Sequence, residues 1–192
     1  MSITTSVLNV ASRTFNEGFS PMLRELFSLP GERRSYIWAK LLFSTILSTV
    51  QAGVFLFVGL LFMGMTVNPK DVLLVLISLL LISFAISTIF ITIAVTIKDM
   101  GRYIIVSNVL SQVAIWGSTI FAPLSSAPKI LRVVMYLNPL SYGTDLIRNI
   151  LIFSENQHGL STILSWTLLG LIGIIFGVLS IRLLSARAGK AV

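Results

Sequence analysis

Of the chain's 192 residues, 55% are hydrophobic and 11% charged; soluble domains carry about 25% charged residues, so water is not its main solvent. Its apolar segments are continuous rather than alternating, which excludes a transmembrane β-barrel, and the absence of cysteine removes disulfides and thiolate metal sites. The formal charge of +7 fits basic loops facing the cytoplasm and anionic lipid, and no basic patch interleaved with aromatics points to nucleic acid.

Residues 1–12 are too short to cross a bilayer, which takes about 20 residues. They read as the last turns of a helix or as a frayed end, and the start lacks the basic region of a signal peptide. Residues 13–40 hold Arg13, Glu17, Arg24, Glu25, Glu32, Arg33, Arg34 and Lys40. Ser20-Pro21 predicts an N-cap followed by proline at the first helical position. Leu23, Leu26 and Phe27 then form a stripe on a short surface helix that Pro30-Gly31 ends. Tyr36 and Trp38 mark a membrane interface to which Lys40 can snorkel.

Four apolar runs follow, at 41–63, 72–97, 103–121 and 160–184, and predict four membrane spans. The first is about 35 Å long as a helix. Its Ser44, Ser48 and Ala52 form a small-residue face for close packing. Gln51 inside it either bonds across helices or lines a pathway. The second run carries Ser83, Ser87, Thr88, Thr92 and Thr96, hydroxyls that either bond their own backbone or line a path. The third carries Asn108 and Gln112 four residues apart, and amides in lipid are costly, so both should face the bundle. The fourth has Gly170, Gly173 and Gly177, which allow a close helix crossing.

Between the third and fourth runs, residues 122–159 are too apolar for a solvated loop. Pro128 can start a short helix carrying Lys129 and Arg132, and Pro139 must end it. A second short helix can begin near Ser141, with Tyr142, Leu146, Ile150 and Phe153 near one face and Asp145, Arg148 and Asn149 on the other. Hinged at Asn138-Pro139, the two make either an interfacial loop lying flat on the membrane or a re-entrant hairpin. The second needs a bundle around it, because non-helical backbone at membrane depth must be buried in protein or line a wet cavity. A polar tip, 154–159, follows.

Charge fixes an expected orientation. With four spans, Arg13, Arg24, Arg33, Arg34, Lys40, Lys98, Arg102, Arg182, Arg187 and Lys190 lie on one side, and Lys70, Lys129, Arg132 and Arg148 on the other. Basic residues favour the cytoplasmic side, which puts both termini inside and the hairpin outside. No Gly-x-x-x-x-Gly-Lys-Ser/Thr phosphate loop is present. The lone His158 has no second ligand nearby, so no metal site is expected, and no carboxylate pair lies within a run. An energy source, if there is one, belongs on another chain.

Three stretches together resemble the membrane subunits of ABC-type exporters of the second export type, the drug- and polysaccharide-exporting permeases. They are Thr14-Phe15-Asn16-Glu17-Gly18-Phe19 through Leu29-Pro30-Gly31 to Lys40-Leu41-Leu42; Ile120 to Pro128; and Leu137-Asn138-Pro139-Leu140-Ser141-Tyr142 followed by Arg148. The resemblance implies an all-α integral membrane domain over 1–192. It would have four transmembrane helices, a cytoplasmic coupling helix in 13–40 and an outer re-entrant hairpin. Phe15, Glu17, Gly18, Leu23, Arg24, Glu25 and Phe27 would couple to a separate cytoplasmic ATPase that holds ATP and magnesium. Pro128, Asn138, Pro139, Tyr142, Asp145 and Arg148 would form an outer gate, and Gln51, Thr88, Thr92, Asn108 and Gln112 are candidates to line the path. Further partners would be lipid and a second permease copy or a complementary membrane chain, in the plasma membrane. The family usually has six spans and this chain shows four, so it looks N-terminally short. The alternative is a non-transporting membrane scaffold, or a partial permease completed by another chain.

Overall fold

A computed structural model describes residues 2–17, 32–64, 67–97, 99–121, 124, 127–151 and 162–188. Every regular element among them is α-helical: α1 (Ser2–Glu17), α2 (Glu32–Met63), α3 (Pro69–Thr96), α4 (Met100–Trp116), α5 (Lys129–Leu137), α6 (Pro139–Leu151) and α7 (Thr162–Ala188). Three helical stretches among the described residues are long and apolar enough to cross a membrane: Trp38–Met63, Pro69–Thr96 and Thr162–Leu183. The third predicted span is a helix of 17 residues, about 26 Å long and thus short of the ~30 Å hydrocarbon core. It stops at Trp116 because Gly117-Ser118-Thr119 turns the chain.

Local chemistry sets the helix ends. Helix α2 begins at Glu32, nine residues before the predicted span, since nothing after Pro30-Gly31 breaks a helix and an acidic residue suits a helix start. It ends at Gly64, whose φ of +63° is the left-handed cap glycine adopts without strain. Asn68 flanks α3 in an extended conformation with Pro69 at the first helical position, where a missing N–H costs nothing. The Asp99 side chain accepts the backbone N–H of Arg102 at 2.8 Å and caps α4, in what the sequence presents only as a charged turn.

Helix α3 is the axis of the fold and touches α1, α2, α4, α6 and α7. Small residues bring its neighbours close. Ser44, Ser48 and Ala52 of α2 are buried, and Ser44 and Ser87 pair their hydroxyls at 2.9 Å. On the α7 side, a Cβ added at Gly173 would lie 2.6 Å from the Phe84 ring, and one at Gly177 3.6 Å from Thr88. Gly170 faces open space, so the helix crossing uses Gly173 and Gly177. Thr92 donates to the Phe176 carbonyl at 3.1 Å and pairs with Ser180 at 2.6 Å. The outer face of α2, with Phe43, Val50, Phe57 and Leu61, remains exposed, as a lipid-facing surface does.

Candidate functional site

The hairpin is built from one side chain outward. Asn138 lies between α5 and α6, extended at φ −90° and ψ 117° and only 6% exposed. Its Oδ1 accepts the Leu140 N–H at 3.0 Å, satisfying a donor in the first turn of α6. Its Nδ2 donates to the Ala114 carbonyl at 2.6 Å, satisfying one of the last four acceptors of α4. Helix ends leave such groups without intrahelical partners, so one amide closes two helices at once. Pro139 opens α6, two residues earlier than the predicted start near Ser141, because a capping asparagine followed by proline is a helix start.

The remaining hairpin residues extend this fastening. Tyr142 is buried and its hydroxyl donates to the Tyr136 carbonyl at 2.6 Å, which closes the end of α5. Asp145 is 2% exposed, so the face of α6 opposite Leu146 is packed as well. Thr119, absent from the sequence prediction, is fully buried and supplies the partner. Its hydroxyl lies 2.9 Å from Asp145 Oδ1 and 3.2 Å from the Ser141 carbonyl. Its carbonyl accepts from Arg148 Nη2 at 3.1 Å, and Arg148 Nη1 stands 3.7 Å from Asp145 Oδ1. Together these contacts form a latch: Asn138 and Tyr142 fasten α6 to the end of α4 and to α5, and Asp145 and Arg148 fasten it to the turn after α4. Pro128 lies outside it, at the start of α5, where its carbonyl accepts the Arg132 N–H at 2.9 Å.

Contacts along α3 give the hairpin a level. A Cβ on Gly143 would sit 2.6 Å from Ile82, and Leu137 and Leu140 share a crevice with Ile86, Ile89 and Phe90. Leu151 shares another with Val72, Leu76 and Leu79. Helix α6 thus runs antiparallel to α3, and the hinge lies past the middle of α3, about 26 Å along it from Pro69 to Ile86 at 1.5 Å per residue.

The pathway candidates are scattered. Gln51 is exposed and its Oε1 accepts from Ser6 of α1. Thr88 and Thr92 are buried and donate to the Ala85 and Thr88 carbonyls at 2.8 and 2.6 Å. Asn108 and Gln112 correct the expectation that they face the bundle. Tyr103, Ser107, Ser111 and Ile115 make the packed face of α4, and both amides lie on its exposed side. Gln112 there accepts from Trp116 Nε1 at 3.0 Å. Phe15 and Glu17 belong to the backbone of α1, while Gly18, Leu23, Arg24, Glu25 and Phe27 lie outside the described residues.

Comparison with known proteins gives a consistent picture. The family model described as ABC-2 type transporter matches residues 1–152. A curated relative named "Putative transport permease ycf38", from Cyanophora paradoxa, is 29% identical over 135 residues, which are 70% of this chain and 46% of that relative. The chain thus matches less than half the length of that relative.

Proposed function

The chain belongs to the ABC-2 type transporter family, and from that premise we propose that it is the membrane-spanning permease subunit of an ATP-driven exporter. The cargo class would be a drug, a lipid or a polysaccharide. Family members are membrane components of transport that work with ATPase subunits. The ATP and magnesium would sit on that separate cytoplasmic subunit, since this chain lacks a phosphate loop. In this reading α4 crosses the membrane together with the turn after it, and α5–α6 is a re-entrant outer gate. The termini are cytoplasmic, the membrane is the plasma membrane, and a second permease copy or complementary chain completes the path. ATP-driven closure of the ATPases would move the coupling segment, Phe15 to Phe27, and shift the bundle between two states that ATP binds unequally.

The observation that carries this reading is the depth of the hinge. Two short helices meet level with Ile86 on α3, and the Asn138 amide at that hinge makes both of its hydrogen bonds within the bundle. That is the condition under which broken backbone is tolerated at membrane depth. The latch then gives the gate a defined closed state that a push from below can undo.

The test is purification of the tagged full chain in mild detergent from its native host. An ABC-type ATPase should co-purify, and Glu17→Arg should reduce its recovery. Recovery of no ATPase favours the scaffold alternative. Recovery unchanged by Glu17→Arg removes Glu17 from the coupling surface.

A further inference from the structure

A crevice of about 270 Å³ lies within the single chain, between α1, α3, α4 and the α5–α6 hinge. Its floor is Thr4, Ile86 and Phe90, each at most 2% exposed. Its mouth is flanked by Val113 and Leu137, 49% and 77% exposed. The lining is almost wholly apolar. The Asn138 amide is engaged on both sides, by the Ala114 carbonyl and the Leu140 N–H. Of the side-chain polar groups there, the Thr4 hydroxyl is buried without a hydrogen-bond partner, too little to hold a charged or strongly hydrated group. An apolar cavity of ~150 Å³ already stays dry and admits a hydrocarbon ligand.

The level of the crevice says what reaches it. It is built on Ile86, Ile89 and Phe90, past the middle of a helix long enough to span a bilayer. Below its mouth, α4 exposes Ile105, Val106 and Val109, with the Asn108 and Gln112 amides beside them on the same exposed side. At that depth the surrounding solvent is lipid tail, not headgroup or water.

We propose that this crevice seats one acyl chain of a bilayer phospholipid, wedged between the end of α4 and the hinge of the hairpin. Hinge residues form part of its wall, so an occupied crevice holds the hinge in its closed geometry. The inference goes beyond the transport reading and stands without it, since it needs neither an ATPase nor a second copy.

The test uses the full chain reconstituted in phosphatidylcholine vesicles that carry a photoactivatable diazirine near the end of one acyl chain. After irradiation, cross-linked peptides are mapped. Adducts are expected on 86–90 and 134–140, alongside those on the exposed face of α2, which serve as an internal reference. Ala114→Phe, which fills the crevice, should lower the 86–90 and 134–140 adducts about tenfold, the factor that matches a loss of ~1.4 kcal/mol in binding. The α2 adducts should not change. Where Ala114→Phe does not fold, Val113→Trp at the mouth serves instead. Gly53→Phe, in a separate apolar crevice between α2 and α3, should leave the 86–90 signal intact.

The proposal fails if the lining adducts are absent or are insensitive to both plugs. It also fails if only a diazirine-bearing free alkyl alcohol, added from water, labels the crevice. Single cysteines at Val113 that cross-link two copies and exclude the lipid adduct would overturn it as well.

Discussion

Replacing Asn138 with alanine would leave the Ala114 carbonyl and the Leu140 N–H without their side-chain partner. A lost cap costs about 0.5–2 kcal/mol and an orphaned buried carbonyl about 1–3 kcal/mol. Asn138→Ala should therefore lower the thermal midpoint of the detergent-solubilised chain clearly more than Asn108→Ala, whose amide is on the exposed side of α4. Equal midpoints would mean that the amide closes neither helix. Arg148→Ala removes the cation beside a buried carboxylate, and breaking such a pair typically costs about 3–5 kcal/mol. Arg148 is 31% exposed, so solvent screening puts the expected loss at or below the bottom of that range, near ~3 kcal/mol. Thr119→Val should lose part of the same energy, and the double variant should lose less than the sum, because the two residues share Asp145. Strict additivity in that cycle would dissolve the latch into separate contacts. The hinge itself is legible in the sequence, since asparagine followed by proline after an apolar stretch states its own chemistry. Its partners are not: Ala114 and the Thr119 main chain act through carbonyls, and a carbonyl acceptor leaves no letter to read. Thr119 as a side-chain partner had one signal, the Gly117-Ser118-Thr119 break in an apolar run, which marks a place where α4 must end and find donors.

At the scale of the helix, close approach depends on what is missing from a side chain. Gly143 lets α6 reach Ile82, and the nearest atoms to an added Cβ are Ile82 Cδ1 and Cγ1, both at 2.6 Å. Ile82 is 2% exposed and has no free space to enter. Gly143→Ala should cost about 1–3 kcal/mol by overpacking, read as a lower thermal midpoint. Gly170→Ala, facing open space, should be neutral or slightly stabilising through its higher helix propensity. Should Gly143→Ala be the milder of the two, α6 does not rest on α3 at this point. Replacing Asn138-Pro139 with Ala-Ala tests the break between the short helices, since the pair would then favour one continuous helix and pull Tyr142 away from the Tyr136 carbonyl. The sequence lays out the helices well because apolar runs with proline and glycine at their ends carry their own limits. It misplaces the α4 amides because the packing stripe of Tyr103, Ser107 and Ser111 and the amide stripe of Asn108 and Gln112 are one residue out of phase. Periodicity alone cannot rank two polar stripes set about 100° apart. What decided the matter is size and polarity together: serines lie flush in a helix contact and tyrosine reaches Ser12 of α1 at 3.4 Å.

Taken whole, the bundle has two distinct ends. At one, α2 gives way to α3 near Asn68, and the far end of α6 packs beside Leu60 and Val72. At the other, α3 gives way to α4 at Asp99, where Tyr103 meets the later part of α1. The depth of the hinge between these ends could not be read from sequence, because it depends on the level at which α6 meets α3, a long-range register that no local pattern encodes. The side on which each end lies is a matter of charge. Lys98 and Arg102 lie close to Asp99 in the sequence, and with four alternating spans eight further basic residues would fall on the same side, against four on the other. Because lysine and arginine are retained on the cytoplasmic side during insertion, the Asp99 end should be inside and the Asn68 end outside. The cysteine-free sequence makes this directly measurable with single cysteines at two exposed positions, Asn68 and Met100. A membrane-impermeant maleimide should label Asn68→Cys on intact cells and Met100→Cys only after permeabilisation. The reverse pattern would invert the orientation and turn the hairpin into an inner gate, while labelling of both from outside would mean that α3 does not cross the membrane. Of the three long apolar helices, α3 is the one on which the answer matters most: α1, α2, α4, α6 and α7 all pack against it, so its direction fixes theirs.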